Sequence, residues 1–379
     1  MKFTISSTAM LGATVLIAKV INSKNPMPIL GDILCEVKDN QLTMVGGDGE
    51  CSIRTNLELQ TMEGEGKFCV DAGRLLDALR QMPEQPLQVT CTTESDYMFT
   101  IEHQDGQIHF LSESADEYPI IDEPLPTDPF ELDGKRIADA IKRCLWSVCT
   151  QDLRPAMCGV HMCTVAKHNS LDIVASNGHT LVRNRLYGWN EHQYDGKIEA
   201  TIPTKAAKIM ADTLTNTYVN LRFNENKCQV CSDRYTMTFR LIAENYPKYN
   251  SVIPSDPPLE AKVYKRDLVN SIKRVLPFTN DSSELLQLNF RENHLHIHGD
   301  DYDFSMGASD KIELDAAPGQ QIEISIGLKG SSLLKALSYI DDEFVFFCMR
   351  DATTAVLLEP DEQKDTEVTI LLMPMLIND

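Results

Sequence analysis

The chain has 379 residues, too many for one hydrophobic core and enough for about three domains of roughly 125 residues each. Its 56 acidic and 35 basic residues give a formal charge of −21, which favours solubility and argues against a general affinity for nucleic acid or anionic membrane. Binding to nucleic acid would therefore need a local basic surface. No apolar run approaches the roughly 20 residues that a membrane helix needs.

The chain opens with a predicted strand and helix over 3–21 (FTISSTAMLGATVLIAKVI). Lys2 before the apolar run 9–18 has the outline of a secretory signal. However, the same outline returns at 130–148 (FELDGKRIADAIKRCLWSV) and 261–279 (AKVYKRDLVNSIKRVLPFT), which a cleavable peptide does not explain. Because the three starts lie about 130 residues apart, we predict three copies of one domain-sized unit.

Helical spacing supports the repeated helix. In the second copy Ile137, Ala138, Ile141, Leu145 and Val148 form one apolar stripe. Each copy then continues into a second predicted helix, in VDAGRLLDALRQM from Val70, IPTKAAKIMADTL from Ile202 and IGLKGSSLLKALSYI from Ile326.

Alternating strands fill the rest of each copy, including hairpins at 42–57, 171–186 and 295–310 with Gly, Asp or Asn at the turns. The predicted class is therefore α+β, with two helices packed on antiparallel sheets in each domain. Proline-rich segments at 119–129 and 254–258 mark the linkers. The predicted domains are 1–124, 125–255 and 256–379.

Few residues point to catalysis. Eleven cysteines are scattered singly, which suits a reducing cytoplasm, and the single CxxC, Cys228 and Cys231, would face opposite sides of a strand. His179 lies at a turn without a nucleophile motif, and the sequence has no phosphate-binding glycine loop. The histidines at 294, 296 and 298 alternate along one strand face, either as metal ligands or as a solvated face.

Basic residues collect on the repeated helices of this acidic chain. A single basic helix is normally just a solvated face, but the bias recurs in every copy and predicts a shared face of positive potential for phosphates, without base stacking. These residues are Arg74, Arg80, Lys135, Arg136, Lys142, Arg143, Lys205, Lys208, Lys265, Arg266, Lys273, Arg274, Lys329 and Lys335.

The end of the chain, VTILLMPMLI at 368–377, is either a core strand or part of an apolar peptide groove.

Several stretches together resemble one family, the bacterial DNA polymerase III beta subunit or sliding clamp. In chain order they are MKFTI at the start, NPMPILGDILCEV at 25–37, SADEYPIID at 114–122, QDLRPAMCGV at 151–160, LDIVASNGHTLV at 171–182, RLIAENYPKYNSVIP at 240–254 and the terminal MPML. The resemblance covers the whole chain. It implies three similar clamp domains and a head-to-tail homodimer, forming a ring of six domains around duplex DNA.

Simple geometry agrees with a dimer. If domains of about 125 residues are treated as spheres, three in a ring leave a hole of about 6 Å and six leave about 36 Å. Only the larger hole admits a B-form duplex roughly 20 Å across. The implied function is a non-catalytic processivity factor without a cofactor or metal, acting in the bacterial cytoplasm. Its implied partners are duplex DNA, the replicative polymerase, the clamp loader and other replication and repair proteins.

The resemblance also implies site residues. The peptide groove matches Met157, Ser176, Gly178, His179, Thr180, Leu181, Pro247, Val252, Leu371, Met373, Pro374, Met375 and Leu376. Lys24 and Gln151 match DNA contacts, joined by Arg74, Arg80, Lys135, Arg136, Lys142, Arg143, Lys205, Lys265 and Arg266 from the helices. Ile108, Phe110 and Leu276 are predicted at the dimer interface. Family members usually carry arginine where this chain has Thr180 and end in MPMRL, so the polar recognition of peptides differs here.

Two other classes of protein remain as alternatives. A metal-dependent hydrolase would use His294, His296 and His298. A repeat scaffold that does not bind DNA would use only the protein-binding surfaces. Stoichiometric metal would indicate the first, and failure to stay on circular DNA would indicate the second.

Overall fold

The computed structural model describes residues 1–22, 24–92, 97–119, 125–151, 153–189, 197–215, 217–255, 257–315, 322–363 and 365–377. The predicted domain limits at 124, 256 and 379, and parts of both proline-rich linkers, lie outside these residues. In the described part of the chain, no helix has the length and apolar character needed to cross a membrane.

Six helices form in the described residues. They are α1 (Ser7–Ala18), α2 (Ala72–Arg80), α3 (Gly134–Cys144), α4 (Thr204–Thr213), α5 (Lys265–Val275) and α6 (Gly330–Leu337). Each begins directly after a strand, and side chains cap several of their first turns. The Asp71 carboxylate accepts from the Arg74 N–H at 2.7 Å, and Asp133 accepts from the Arg136 N–H at 3.0 Å.

The strands of the first and second copies are β1 (Lys2–Ser6), β2 (Asp32–Lys38), β3 (Gln41–Gly47), β4 (Cys51–Glu58), β5 (Thr61–Glu63), β6 (Gly66–Asp71), β7 (Pro86–Cys91), β8 (Met98–His103), β9 (Gly106–Leu111), β10 (Phe130–Asp133), β11 (Gly159–Val165), β12 (Ser170–Ser176), β13 (Thr180–Tyr187), β14 (Glu199–Pro203), β15 (Tyr218–Phe223), β16 (Lys227–Cys231) and β17 (Thr236–Arg240). The third copy adds β18 (Leu259–Tyr264), β19 (Leu285–Arg291), β20 (His294–Asp301), β21 (Met306–Glu313), β22 (Glu323–Lys329), β23 (Phe344–Met349), β24 (Val356–Pro360) and β25 (Thr366–Leu372).

One compact unit comprises Met1–Ala138 and Ile209–Leu241. It holds a five-stranded sheet, β5-β1-β7-β8-β9, and an eight-stranded sheet, β10-β15-β16-β17-β4-β3-β2-β6. Helices α1 and α2 pack on each other, and their inward residues Met10, Ile17, Leu75 and Leu79 are fully buried. The junction of β4 with β17 joins strands of the first and second copies into one sheet.

The other compact unit comprises Asp139–Lys208 and Ile242–Asp379. It holds an eight-stranded sheet, β14-β11-β12-β13-β25-β24-β23-β18, and a four-stranded sheet, β21-β20-β19-β22. Here β13 pairs with β25 from Thr180↔Leu372 to Leu186↔Thr366, which again joins two copies. The predicted α5 stripe of Leu268, Ile272 and Val275 is buried.

The predicted strand-helix units, second helices and hairpins are confirmed, but the helix ends differ. The helix predicted through Val148 ends at Cys144 and continues as a 3-10 turn, Leu145–Ser147, with Leu145 only half-buried. The buried Ser147 hydroxyl bonds the Thr180 hydroxyl at 2.7 Å, which fixes the chain away from the helical path. Helix α5 ends before Pro277, whose ring removes the N–H that a continued helix needs.

Candidate functional site

A tight turn between β12 and β13 frames the candidate groove. The Asn177 side chain accepts from the backbone N–H groups of His179 and Thr180 at 2.9 and 2.8 Å. Gly178 has a φ of +91°, a left-handed conformation that glycine adopts without strain. The Met373 N–H then donates to the His179 carbonyl at 2.8 Å, so the end of β25 lies against this turn.

Next to this turn, a cluster of buried apolar residues forms the floor of the candidate groove, and exposed apolar residues form its rim. Leu181 and Leu371 are register partners and belong to one buried cluster with Val174, Leu357 and Tyr249. By contrast, Val252 is 55% exposed and Met373 42%, and these two residues closely follow the cluster members Tyr249 and Leu371 in the chain. Exposed apolar side chains beside a buried apolar floor are typical of a binding surface.

The last residues leave this floor. The Met375 N–H donates to the Gly327 carbonyl at 2.8 Å and so covers the edge of β22. Leu376 lines a different cavity, of about 360 Å³, together with Asn280, Gln287 and His298. In the part of the chain that the structure describes, neither residue belongs to the cluster around Leu181.

Polar groups at the turn point in different directions. The Thr180 side chain is buried against Ser147, so it does not present a polar group to the surface. The Ser176 hydroxyl donates to the Thr180 carbonyl at 2.9 Å and accepts from the Gly178 N–H at 3.2 Å. Met157 ends the 3-10 turn Pro155–Met157 and is half-buried, whereas Pro247 and His179 are exposed.

Two features of this site were not predicted from the sequence. Arg154 places its guanidinium over Gly178, with Nη1 2.7 Å from the position that a Cβ would occupy there. Asp172, fully buried, accepts two hydrogen bonds from Arg185 at 2.8 Å each and one from the Tyr249 hydroxyl at 2.8 Å. The network fixes Tyr249, which lies between the predicted groove residues Pro247 and Val252 in the sequence. Charged residues facing each other on paired apolar strands were its only signal in the sequence.

Two members of this network have shifted pKa values. Hydrogen bonding to Asp172 raises the pKa of the Arg185 guanidinium, so the arginine stays protonated. Burial raises the pKa of the Tyr249 hydroxyl, which keeps it a neutral donor to Asp172. Removing one member of a buried, hydrogen-bonded ion pair costs about 3–5 kcal/mol of folding stability. The Asp172–Arg185 pair therefore holds the groove wall at Tyr249 firmly in place.

The predicted DNA residues divide by exposure. Arg136, Arg143, Lys205 and Lys265 are half-buried, and the Lys265 amine donates to the Ile340 carbonyl at 2.6 Å. Two of the arginines form ion pairs: Arg143 Nη2 lies 3.6 Å from Asp341 Oδ2, and Arg80 Nη1 lies 3.7 Å from Asp77 Oδ1. Exposed members of the set are Lys24, Arg74, Arg80, Lys135, Lys142, Gln151 and Arg266.

The predicted dimer residues lie at or near sheet edges. Ile108 and Phe110 are half-buried on β9, and the Phe110 ring packs 5.2 Å from the Phe99 ring. Leu276 follows α5 and contacts the start of α6 at Gly330.

Among the residues that the structure describes, the histidines of β20 do not form a metal site with their neighbours. His298 is hydrogen-bonded to Asp300 at 2.7 Å. The described residues contain no group of three or more His, Cys, Asp or Glu that could hold a metal.

The chain is similar to known proteins along nearly its whole length. Family models of the DNA polymerase III beta subunit match residues 1–122 with the N-terminal domain, 131–248 with the central domain and 250–376 with the C-terminal domain. The chain belongs to this family. The beta sliding clamp of Haemophilus influenzae is 25% identical over 379 residues, covering 99% of this chain and 100% of that protein. That of Streptococcus pneumoniae is 21% identical, with 99% of each covered.

Solved sliding clamps share the fold. The Pseudomonas aeruginosa beta subunit has a TM-score of 0.90 at 21% identity, and the Bacillus subtilis clamp has 0.91 at 19%, each over the full length of both chains. Another Pseudomonas aeruginosa clamp structure, bound to griselimycin, has a TM-score of 0.91 at 21% identity, again over both full chains. The predicted three-domain clamp fold and the function as a non-catalytic processivity factor of the replicative DNA polymerase are therefore confirmed, and the hydrolase alternative is wrong.

This member of the sliding clamp family contains a buried histidine beside its groove wall. His161 stacks on Tyr246, with ring centroids 4.5 Å apart, and its Nδ1 lies 3.1 Å from the Thr201 hydroxyl. Burial lowers the pKa of His161 from 6.5 to about 4. The folded clamp therefore keeps this ring neutral under conditions in which the unfolded chain binds a proton.

We predict that acid weakens the fold through His161. The stability held by its neutral form is complete above pH 6.5 and is lost as pH falls towards about 4. Compared with a His161→Asn variant, the natural chain should lose about 2 kcal/mol more unfolding free energy between pH ~7 and ~5. Urea unfolding at both pH values measures this, and parallel losses in the two proteins would contradict it.

Proposed function

We propose that two copies of the chain close head to tail into a ring that encircles duplex DNA, in the bacterial cytoplasm. Each chain supplies three domains, 1–124, 125–255 and 256–379. The ring would then be tethered to the replicative polymerase, the clamp loader and other replication and repair proteins through its groove. The observation that carries this proposal is the exposed apolar rim above the buried Leu181–Leu371 floor, within a family of sliding clamps.

The groove is proposed to bind short apolar peptide segments. Val252 and Met373 supply exposed apolar surface, while the Asp172 network fixes the wall that carries Pro247. The remaining proposed members are Met157, Ser176, Gly178, His179, Thr180, Leu181, Leu371 and Pro374, together with Met375 and Leu376, which extend the proposed surface to the cavity beside His298. Because Thr180 is turned inward, we assign the cation at the groove mouth to Arg154, whose guanidinium covers Gly178. Clamp-bound griselimycin in a structural neighbour supports a ligand surface on this fold.

Two open sheet edges suit the ring contact. β9, with six residues, and β21, with eight, are terminal strands of their sheets, and Leu111 and Met306 on them are 60% and 42% exposed. In the described residues, the outer edges of four other terminal strands, β6, β14, β18 and β22, are each partly covered by another segment of the chain, through an isolated β-bridge. Pairing β9 of one chain with β21 of the other would close the ring and place Ile108, Phe110 and Leu276 at or near the contact.

DNA is proposed to be held by topology, with weak phosphate contacts from Lys24, Gln151 and the basic helix residues. A closed ring should stay on nicked circular duplex through high salt and leave when the circle is cut to a linear molecule. Gel filtration of labelled protein with the DNA, before and after cutting, measures this. Equal loss from both forms would contradict the ring.

A lysine variant separates topology from charge in the same assay. Lys135→Ala with Lys142→Ala removes two exposed cations of α3. The slope of log affinity against log salt for linear duplex should fall by about two, because each lost phosphate contact removes about one. Retention on the uncut circle should not change. An unchanged slope would place these lysines away from the DNA.

A further inference from the structure

The junction of β4 and β17 repeats the geometry of the proposed groove. At the groove, the Met373 N–H donates to the His179 carbonyl at 2.8 Å beside Gly178, whose φ is +91°. At the β4–β17 junction, the Arg240 N–H donates to the Glu50 carbonyl at 3.0 Å beside Gly49, whose φ is +95°. Arg240 is thus the counterpart of Met373, and Glu50 is the counterpart of His179.

The surrounding segments repeat as well. Tyr118-Pro119 corresponds to Tyr246-Pro247, and the 3-10 turn Pro28–Gly31 corresponds to Pro155–Met157. Between these parts the β4–β17 junction has a cavity of about 220 Å³, which we call the first-junction cavity. Its lining includes Leu30, Val45, Tyr118, Pro119, Lys227 and Arg240, with Glu50 at the turn. The same supersecondary unit therefore occurs at both junctions, and at the β4–β17 junction it encloses a cavity.

The two surfaces differ in chemistry. The register pairs Ser52 with Thr238 where the groove pairs Leu181 with Leu371. Thr238 and Arg240 therefore replace the apolar Leu371 and Met373. Two basic side chains, Lys227 and Arg240, line this cavity with a single acidic one, Glu50, so the lining keeps a positive balance in a chain whose net charge is −21. This balance favours an acidic partner there.

Of these two cations, Arg240 is available to a ligand. The Arg240 Nε lies 3.5 Å from a Glu50 carboxylate oxygen, and their side chains are 62% and 67% exposed. Such exposed pairs contribute little to stability, so a ligand carboxylate can exchange with Glu50 at low cost. Leu30 and Val45, which are buried, and Pro119 offer an apolar wall next to this charge.

We propose that the first-junction cavity is a second peptide site, which binds an extended acidic segment of a partner protein. One apolar side chain of the segment would occupy the wall at Leu30 and Val45, and an adjacent Asp or Glu would bond Arg240. The cavity is smaller than the roughly 300–1,000 Å³ of pockets for drug-sized ligands, which suits one or two side chains. This site is separate from the proposed groove and does not depend on it.

The test uses the full-length protein and two labelled, photoreactive peptides. The acidic probe is Gly-Leu-benzoylphenylalanine-Asp-Asp, and the basic probe ends in Lys-Lys instead. The acidic probe should crosslink to residues in 28–52, 118–119 or 238–240, mapped by mass spectrometry. Fluorescence anisotropy should show Arg240→Glu weakening this binding about tenfold or more. Arg54→Glu, an equal charge change at an exposed β4 residue outside the lining, should not weaken it.

Each other outcome overturns the inference. Crosslinks confined to residues 157–181, 247–253 and 371–376 would show binding at the proposed groove alone and leave that proposal intact. Equal weakening by Arg240→Glu and Arg54→Glu would reduce the effect to general charge. Equal affinity for the acidic and basic probes would remove the role of Arg240.

Discussion

A His109→Pro variant is expected to raise the dissociation constant of the dimer by roughly 100-fold, because proline removes a ladder N–H and adds bulk at a strand edge. The Ser112 N–H donates to the Tyr97 carbonyl on the β8 side, and the register continues as Phe99↔Phe110 and Ile101↔Ile108. Since backbone groups alternate along a strand, the His109 N–H points away from β8. Proline at 109 therefore spares the β8–β9 pairing and blocks only an incoming strand.

His109→Ala is the matched control, because it removes the same side chain but keeps the N–H. Sedimentation over a dilution series should show the control retaining twice the chain mass of 42.6 kDa at concentrations where His109→Pro is monomeric. The proline variant should also leave uncut circular DNA at the rate at which it leaves linear DNA. A dimer of unchanged strength would move the ring contact away from β9.

Local periodicity was sufficient to predict much of this fold. The spacing of Ile137 and Ile141 on α3, or of Leu268 and Ile272 on α5, indicated which helix faces are buried, and all four residues are. Turn residues such as Asn177 and Gly178 predicted a hairpin that the structure contains. These features are coded by residues within a few positions of one another, so a single sequence carries them.

Contacts between distant segments could not be predicted this way. The pairing of Thr180 with Leu372 joins two copies into one sheet, and no local pattern specifies which strands meet. The same holds for the Met375 bridge to Gly327 and for the Lys265 amine bound to the Ile340 carbonyl. The buried Asp172–Arg185 pair depends on strand register, so its role in fixing the groove wall emerged only with the structure.

A Val252→Ser and Met373→Ser double variant is expected to weaken binding of a polymerase peptide by roughly 100-fold, at about 1–2 kcal/mol for each lost apolar contact. The two side chains are 55% and 42% exposed in the free protein, so serine should change stability little. Stimulation of primer extension by the cell's own replicative polymerase should fall accordingly. Dimer mass and retention on circular DNA should be unchanged, because neither side chain lies on β9 or β21.

The control for this variant exchanges the same residue types at similar exposure. Val15→Ser with Met27→Ser changes a valine that is 43% exposed and a methionine that is 47% exposed, both outside the groove. This control should stimulate the polymerase as the natural chain does, since general surface polarity is altered equally in the two variants. Equal loss in both would show that exposed apolar area anywhere matters, whereas full stimulation by the Val252 and Met373 variant would place the peptide site on another surface. Loss of the dimer in that variant would instead make Met373 a structural residue, because its N–H already fixes the end of β25 to the His179 carbonyl.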